Sequence, residues 1–270
     1  MRVIRSGRLA QESEVETAYR RRRRHDRRTT AGHVRRTATG PALAAASLVA
    51  LLLAGPTAAG AQPPAFDPVP GAITLPEVIP VFPLPDVMLF PNVSRPLHIF
   101  EPRYRAMVAD ALAGDRLIGM VTLQPGYESE YEGRPPVFAI GCAGRITEVE
   151  ELPDGRYLIV LRGLVKFRIL DEDRSRPYRL AQVEALPELV DDAELAALGE
   201  LRGTLEAILA AARGGAPAPA ALPDEDLVNG LAQYAPIDPR ERQRLLEAAG
   251  PLERARALVD LFRAPAEPPR

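Results

Sequence analysis

The sequence predicts an α+β protein: a compact, partly closed β-barrel with one early helix, followed by a helical bundle. Three observations predict it. About seven short apolar stretches, punctuated by Pro, Gly and an Asp-Gly turn, lie between residues 79 and 187. One helical stripe, Tyr104, Met107, Val108, Ala111 and Leu112, interrupts them early. After Pro187 the apolar spacing becomes Leu195, Leu198, Leu201, Leu205, Ile208 and Leu209, which is helical.

The opening segment 79–105 is broken by Pro80, Pro83, Pro85, Pro91 and Pro96. Each proline fixes φ and removes a backbone donor, so only short or edge strands are expected there, at 79–82, 87–89 and 95–99. A helix is expected over 101–113, with Pro102 in its first turn and Gly114 at its C-terminal cap. An apolar strand follows at 117–123, then a loop over 124–136 holding Tyr127, Tyr131 and the turn Gly133-Arg134-Pro135-Pro136. Strands at 137–140 and 145–152 flank Gly141-Cys142-Ala143-Gly144, small residues that imply a bend or a close backbone contact. Pro153-Asp154-Gly155 is a hairpin turn into 156–161. Gly163 leads to strand 165–170, and 178–186 completes the sheet. Helices are then expected over 192–213, 224–234, from Asp238-Pro239-Arg240-Glu241 to 249, and over 251–262. Asp238 sets the third of these with an acidic N-cap, Pro at N1 and Glu at N3, and Gly250 ends it. The barrel thus occupies 79–187 and the helical part 188–263. The stretch 214–222 is an Ala/Pro/Gly break, 62–78 a flexible lead-in and 264–270 a loose tail.

Charge divides the chain. Residues 1–61 hold twelve Arg against four acids, whereas 62–270 hold 22 basic and 32 acidic residues. An acidic body argues against a nucleic-acid partner, which requires a basic face. The single cysteine, Cys142, forms neither an internal disulfide nor a thiolate metal cluster.

Residues 41–54 are an apolar run, short for a bilayer span, preceded by Arg35 and Arg36 and ended by Gly55-Pro56. Ala59-Gly60-Ala61 before Gln62 has the form of a cleavage site. Together they read as a secretory signal peptide cut between Ala61 and Gln62, giving a periplasmic or secreted protein. An uncleaved anchor is the alternative, and membrane association is expected only in that case. A lipoprotein anchor is excluded because no cysteine lies near residue 61. The long basic stretch before Val34 fits a signal poorly, so translation is expected to begin near Val34.

His98, the one histidine after residue 61, lacks an evident Ser or Cys nucleophile and an orienting acid, and is read as packing at a strand end. It also lacks the clustered carboxylates that a metal site needs. Cys142 is read as a small buried hydrophobe rather than a reactive thiol. Glu101, Arg103 and Arg105 are read as a helix cap or an ion pair. Tyr127, Tyr131 and Arg134 share the longest barrel loop and are candidate peptide-binding residues, together with Phe90, although apolar Met88, Phe90 and Phe100 also suit a core. No cofactor is expected.

Several stretches carry a family resemblance. They are Phe82-Pro83-Leu84-Pro85-Asp86-Val87, Leu89-Phe90-Pro91, Pro96-Leu97-His98-Ile99-Phe100-Glu101-Pro102-Arg103-Tyr104, Leu152-Pro153-Asp154-Gly155-Arg156-Tyr157 with Leu161-Arg162-Gly163, and Arg242-Gln243-Arg244-Leu245-Leu246-Glu247. In order and spacing they resemble the Lon protease N-terminal, or substrate-binding, domain family. The resemblance implies a PUA-like β pseudo-barrel followed by a small helical bundle. It also implies recognition of polypeptide segments or a partner protein, with strand addition at a sheet edge as a physical route. In full-length Lon an ATPase and a Ser-Lys protease follow this unit. Here no G-x-x-x-x-G-K-[ST] loop is present, and Lys166 is the only lysine, within a strand-like stretch. The expectation is a non-catalytic, stand-alone binding unit that uses no ATP. The alternatives are an envelope assembly partner docking through its C-terminal helices, or an enzyme using His98 or Cys142. The resemblance alone implies a cytoplasmic location, against the export signal. N-terminal sequencing of the protein from its native host is expected to begin at Gln62, and a precursor containing residues 1–33 would contradict a start near Val34.

Overall fold

The computed structural model describes residues 73–127, 133–212 and 222–263. The signal stretch, Ala61 and Gln62, most of the lead-in, Tyr131, nearly all of the 214–222 break and the tail lie outside the described residues. Six strands, β1 (Val78–Leu84), β2 (Ser94–Ile99), β3 (Leu117–Thr122), β4 (Ile140–Glu151), β5 (Tyr157–Asp173) and β6 (Arg179–Leu186), form one mixed sheet. Helix α1 (Pro102–Ala113) lies between β2 and β3. Helices α2 (Asp192–Ala212), α3 (Asp224–Tyr234), α4 (Pro239–Glu247) and α5 (Pro251–Arg263) follow the sheet. The strand order is β2-β5-β4-β3-β1-β6, and β5 also pairs with β6, so five strands close into a barrel with β2 added outside. Only the β1–β3 pair is parallel.

Two of the expected breaks are absent because β5 and β4 are each one long strand. β5 pairs with β2 over its first half, with β6 over its second, and with β4 across both. Gly163 does not interrupt it. A side chain there would put its Cβ 2.0 Å from the Phe90 carbonyl oxygen, so glycine is what admits the opening segment against β5. Likewise 137–140 and 145–152 are not two strands. Val137 makes only a bridge to Leu123, and β4 runs unbroken through Gly141-Cys142-Ala143-Gly144 with a register shift at Ala143/Gly144. The close-contact reading of these small residues holds: a Cβ on Gly141 would lie 2.3 Å from the Met120 carbonyl oxygen. Phe167 then fills the barrel interior against Gly119 and Gly141, with Ile79, Val81, Val121, Val165 and Val183 around it. The barrel is therefore solid rather than a ligand-holding cup.

The prolines act differently from expectation. β1 carries both Pro80 and Pro83 yet is an interior strand of the sheet. It changes partner at Val81, pairing with β6 over Val78–Val81 and with β3 over Val81–Leu84. Each proline thus sits where only one side of the strand is laddered, and its missing N–H faces the other side. The expected strand at 87–89 does not form. Met88, Leu89 and Phe90 are instead buried as a plug between barrel and helices, within one apolar cluster that includes Leu205, Leu227, Leu246 and Val259.

Side chains of the helices take over the hydrogen bonding of that irregular segment. The Phe90 amide donates to Gln233 Oε1 at 2.9 Å. Asn229 Nδ2 donates to the Pro91 carbonyl at 3.0 Å and Gln233 Nε2 to the Ser94 carbonyl at 3.2 Å. Beneath them lies a buried ionic knot. Arg254, fully buried on α5, donates through Nε to the Leu245 carbonyl at 2.8 Å and through Nη1 to Asn229 Oδ1 at 2.5 Å. Its guanidinium also pairs with Glu188, which accepts from Lys166 Nζ on β5 at 2.8 Å. The helix starts are as the sequence predicts: Asp238 caps α4 by accepting from the Arg240 amide, and Pro102 opens α1. Glu101 makes no side-chain cap and instead pairs with Arg103.

Removing one partner of a buried, hydrogen-bonded ion cluster leaves uncompensated polar groups. Arg254→Met is therefore expected to cost about 3 kcal/mol of folding stability in urea unfolding, whereas a cost below about 1 kcal/mol would show that the knot is not structural.

Candidate functional site

Among the described residues, a concavity of about 220 Å³ forms a mouth at the barrel rim. It is lined by Pro83 at the end of β1, Arg103 and Tyr104 in the first turn of α1, Gly133 and Arg134 after the long loop, and Pro177, Tyr178 and Arg179 leading into β6. Tyr104 is fixed from below by Phe82, with ring centroids 4.4 Å apart. Arg103 stacks over Tyr104 at 4.5 Å and pairs with Glu101 Oε2 at 3.0 Å.

Arg134 closes one wall. Its Nη1 donates to the Asp173 carbonyl at 3.2 Å, and its Nη2 to those of Arg176 and Tyr178 at 3.1 and 3.3 Å. It thereby pins the long loop to the β5–β6 connection. Arg179 closes the other wall, bidentate on Glu172 at 2.8 and 3.0 Å and donating to the Pro135 carbonyl. Tyr178 donates its hydroxyl to Asp110 at 2.6 Å.

Of the residues singled out from the sequence, Arg134 is in the mouth, and Tyr127 is 38% exposed on the same loop. Tyr131 lies outside the described residues. Phe90 is corrected: it is fully buried, its amide is held by Gln233, and Arg254 sits 5.4 Å from its ring centroid. It is core and is not available to a ligand. Sequence reasoning assigned Arg103 only a structural role and overlooked Tyr104, Tyr178 and Arg179 as members of a shared cavity. The signal available was the repeated proline-led pairing of Arg with Tyr, in Pro102-Arg103-Tyr104 and Pro177-Tyr178-Arg179.

The alternative chemistries meet engaged groups. His98 is buried with Nε2 at 3.2 Å from Arg156 Nη1, which places an acceptor nitrogen against the guanidinium. The Cys142 thiol is buried, and burial, then the Glu188 charge, push its pKa up, away from the reactive thiolate. Lys166 is held by Glu188 and the Ala248 carbonyl, so it is not a free base for a Ser-Lys dyad. Among the described residues, no group of three or more His, Cys, Asp or Glu is placed to hold a metal ion. No helix among them is long and apolar enough to cross a membrane.

The outer edge of β2 is a poor template for strand addition. The Gly163 amide donates to the Val93 carbonyl at 2.9 Å, so by alternation residues 95, 97 and 99 face β5 and residues 94, 96 and 98 face outward. Of these, Ser94 already gives its carbonyl to Gln233 and Tyr234, and Pro96 has no N–H. The proline that interrupts the segment also blanks its edge.

The Tyr178 phenol is pushed up to about 12 from its usual 10.0, by burial first and then by its bond to Asp110. The folded state therefore favours the neutral phenol. That stabilisation is complete below the unfolded value near 10 and is lost as pH rises through about 12. Ultraviolet difference titration is expected to show one late-ionising tyrosine, missing in Tyr178→Phe.

Comparison with known proteins matches this architecture. The profile of the ATP-dependent protease La (LON) substrate-binding domain matches residues 78–263. A Lon protease 2 of Myxococcus xanthus is 32% identical over 148 residues, covering 53% of this chain and 18% of that protein. A Lon protease 2 of Herpetosiphon aurantiacus is 31% identical over 200 residues, covering 71% of this chain and 24% of that protein. The chain thus spans a quarter or less of the length of these relatives. The crystal structure of a Lon N-terminal domain protein from Xanthomonas campestris superposes with a TM-score of 0.51 at 25% identity, over 70% of this chain and 99% of that one. The N-terminal domain of a Mycobacterium avium complex Lon protease gives the same TM-score at 22% identity, a likeness of fold. What is matched is the substrate-binding part of Lon and not its protease part. With the profile covering the barrel and the helices that close it, the chain belongs to the Lon substrate-binding domain family.

Proposed function

We propose that this chain is a non-catalytic module that binds segments of polypeptide and acts outside the cytoplasm. The observation that carries the binding role is the family match across the whole of 78–263, barrel and helices together. The geometry is consistent with it. The barrel interior is filled, so binding falls to the surface, where the rim mouth offers tyrosine and proline walls beside arginines. Aromatic and Arg side chains held on a rigid frame are effective anchors for peptide chains. His98 and Lys166 are held by structural partners and the Cys142 thiol is buried, which supports a module without turnover of its own. The export reading is supported by the apolar run 41–54 and Ala59-Gly60-Ala61.

A second reading, docking of a partner through the helical part, is favoured by Leu189, which is 86% exposed just before α2. Deleting the helices is not a usable test, because Leu205, Leu227 and Val259 belong to the same buried cluster as Met88 and Phe90. Leu189→Asp leaves that cluster intact and separates the two readings.

The purified protein is expected to bind fluorescently labelled, chemically unfolded casein saturably without ATP and to leave it uncleaved. Arg103→Ala is expected to weaken binding roughly fivefold or more, and Leu189→Asp to leave it unchanged. Casein cleavage by the protein alone would overturn the non-catalytic reading. Loss of binding in Leu189→Asp, with Arg103→Ala unaffected, would favour the helical surface.

A further inference from the structure

We propose that the rim mouth recognises a carboxylate carried by the bound polypeptide, either its C-terminal group or an Asp or Glu side chain. This rests on the reading of the chain as a polypeptide-binding module and names the chemistry that the module selects. Three guanidinium groups, from Arg103, Arg134 and Arg179, line the mouth, and among the described lining residues there is no carboxylate. Arg103 is matched by Glu101 and Arg179 by Glu172, both from outside the lining. Arg134 differs. Among the described residues its hydrogen-bond partners are the carbonyls of Asp173, Arg176 and Tyr178, which are neutral. Its guanidinium also acts electrostatically on the Asp173 carboxylate, which is held by hydrogen bonds from Ser175 and makes no direct ion pair with it among the described residues.

The described lining thus presents guanidinium donors, an arrangement suited to a singly charged anion such as a carboxylate. A guanidinium has five N–H donors, and three carbonyl bonds leave Arg134 capacity for a further acceptor. A volume of about 220 Å³ is small for a cofactor or drug-sized ligand, and it suits one residue or a chain end. Pro177 is exposed at the mouth and offers a flat apolar wall for the side chain that accompanies the carboxylate, while Pro83, Tyr104 and Tyr178 are buried and form its floor.

The test uses fluorescence anisotropy with the purified protein and labelled apolar peptides of about ten residues, long enough for one extended segment. Four probes are compared: a free C-terminal acid, its C-terminal amide, an amide with one internal Glu, and an amide with that Glu as Gln. At least one carboxylate-bearing probe is expected to bind about tenfold tighter than its uncharged counterpart. The free-acid pair and the Glu/Gln pair identify which carboxylate is read. Arg103→Gln or Arg134→Gln is expected to remove that difference, with thermal melting to confirm folding. Because Arg134 also pins the loop, the comparison between probes on the unmodified protein stands independently of the variants. Four equal affinities would overturn carboxylate recognition while leaving peptide binding in place. Absence of binding to all four, and to unfolded casein, would overturn both.

Discussion

The structure depends on side chains that satisfy a backbone the sheet cannot. Prolines strip donors from the opening segment and stop residues 87–89 from joining a ladder. A buried backbone left without partners would be costly. Asn229 and Gln233 on α3 supply those partners, and Arg254 on α5 holds Asn229 in place. Glu188 then links Arg254 to Lys166 on β5, so the ionic knot joins the last helix to the longest strand. An isolated buried ion pair is weak evidence for stability, but this cluster is also hydrogen-bonded to backbone on several sides.

This arrangement has a functional consequence. With Phe167 filling the barrel and Met88, Leu89 and Phe90 plugging the gap to the helices, neither interior space is open to a ligand. The rim is where chain segments distant in sequence meet with polar side chains facing solvent. The three arginines there serve two roles. Arg134 and Arg179 fasten loops to the frame by binding carbonyls; Arg179 is buried against Glu172, whereas Arg134 is only half-buried at the mouth. A rigid rim places its binding groups before a ligand arrives, which lowers the entropic cost of holding an extended peptide.

Local rules made much of the fold legible in the sequence. Helix starts were readable because their chemistry is contained in a few residues, such as Asp238-Pro239 before α4 and Pro102 at α1. The Asp154-Gly155 hairpin was readable for the same reason, with Gly155 at φ 77° and Asp154 accepting from the Arg156 amide. Strand continuity was less legible. Gly163 and Gly141 look like breaks in sequence; the close contact expected around Gly141 is present, but its partner Met120, like Phe90 at Gly163, is set by distant pairing rather than by local pattern. Phe90 was misplaced as a ligand contact because its partners, Gln233 and Arg254, are more than a hundred residues away. The mouth was half legible. Arg134 stood out on its loop, whereas Arg103 and Arg179 acquire their common position only when β1, α1 and β6 close the barrel.

The central claim is that barrel and helices form one cooperative unit because side chains of α3 and α5 complete the opening segment. Native-state hydrogen exchange tests it most directly. The account predicts that the Phe90 amide, the β5 amides around Leu161 and the α5 amides around Leu258 exchange with a common free energy equal to that of global unfolding. Exchange of the α3 and α5 amides at a free energy several kcal/mol below that of β5 would contradict it, because the helices would then open while the barrel persists.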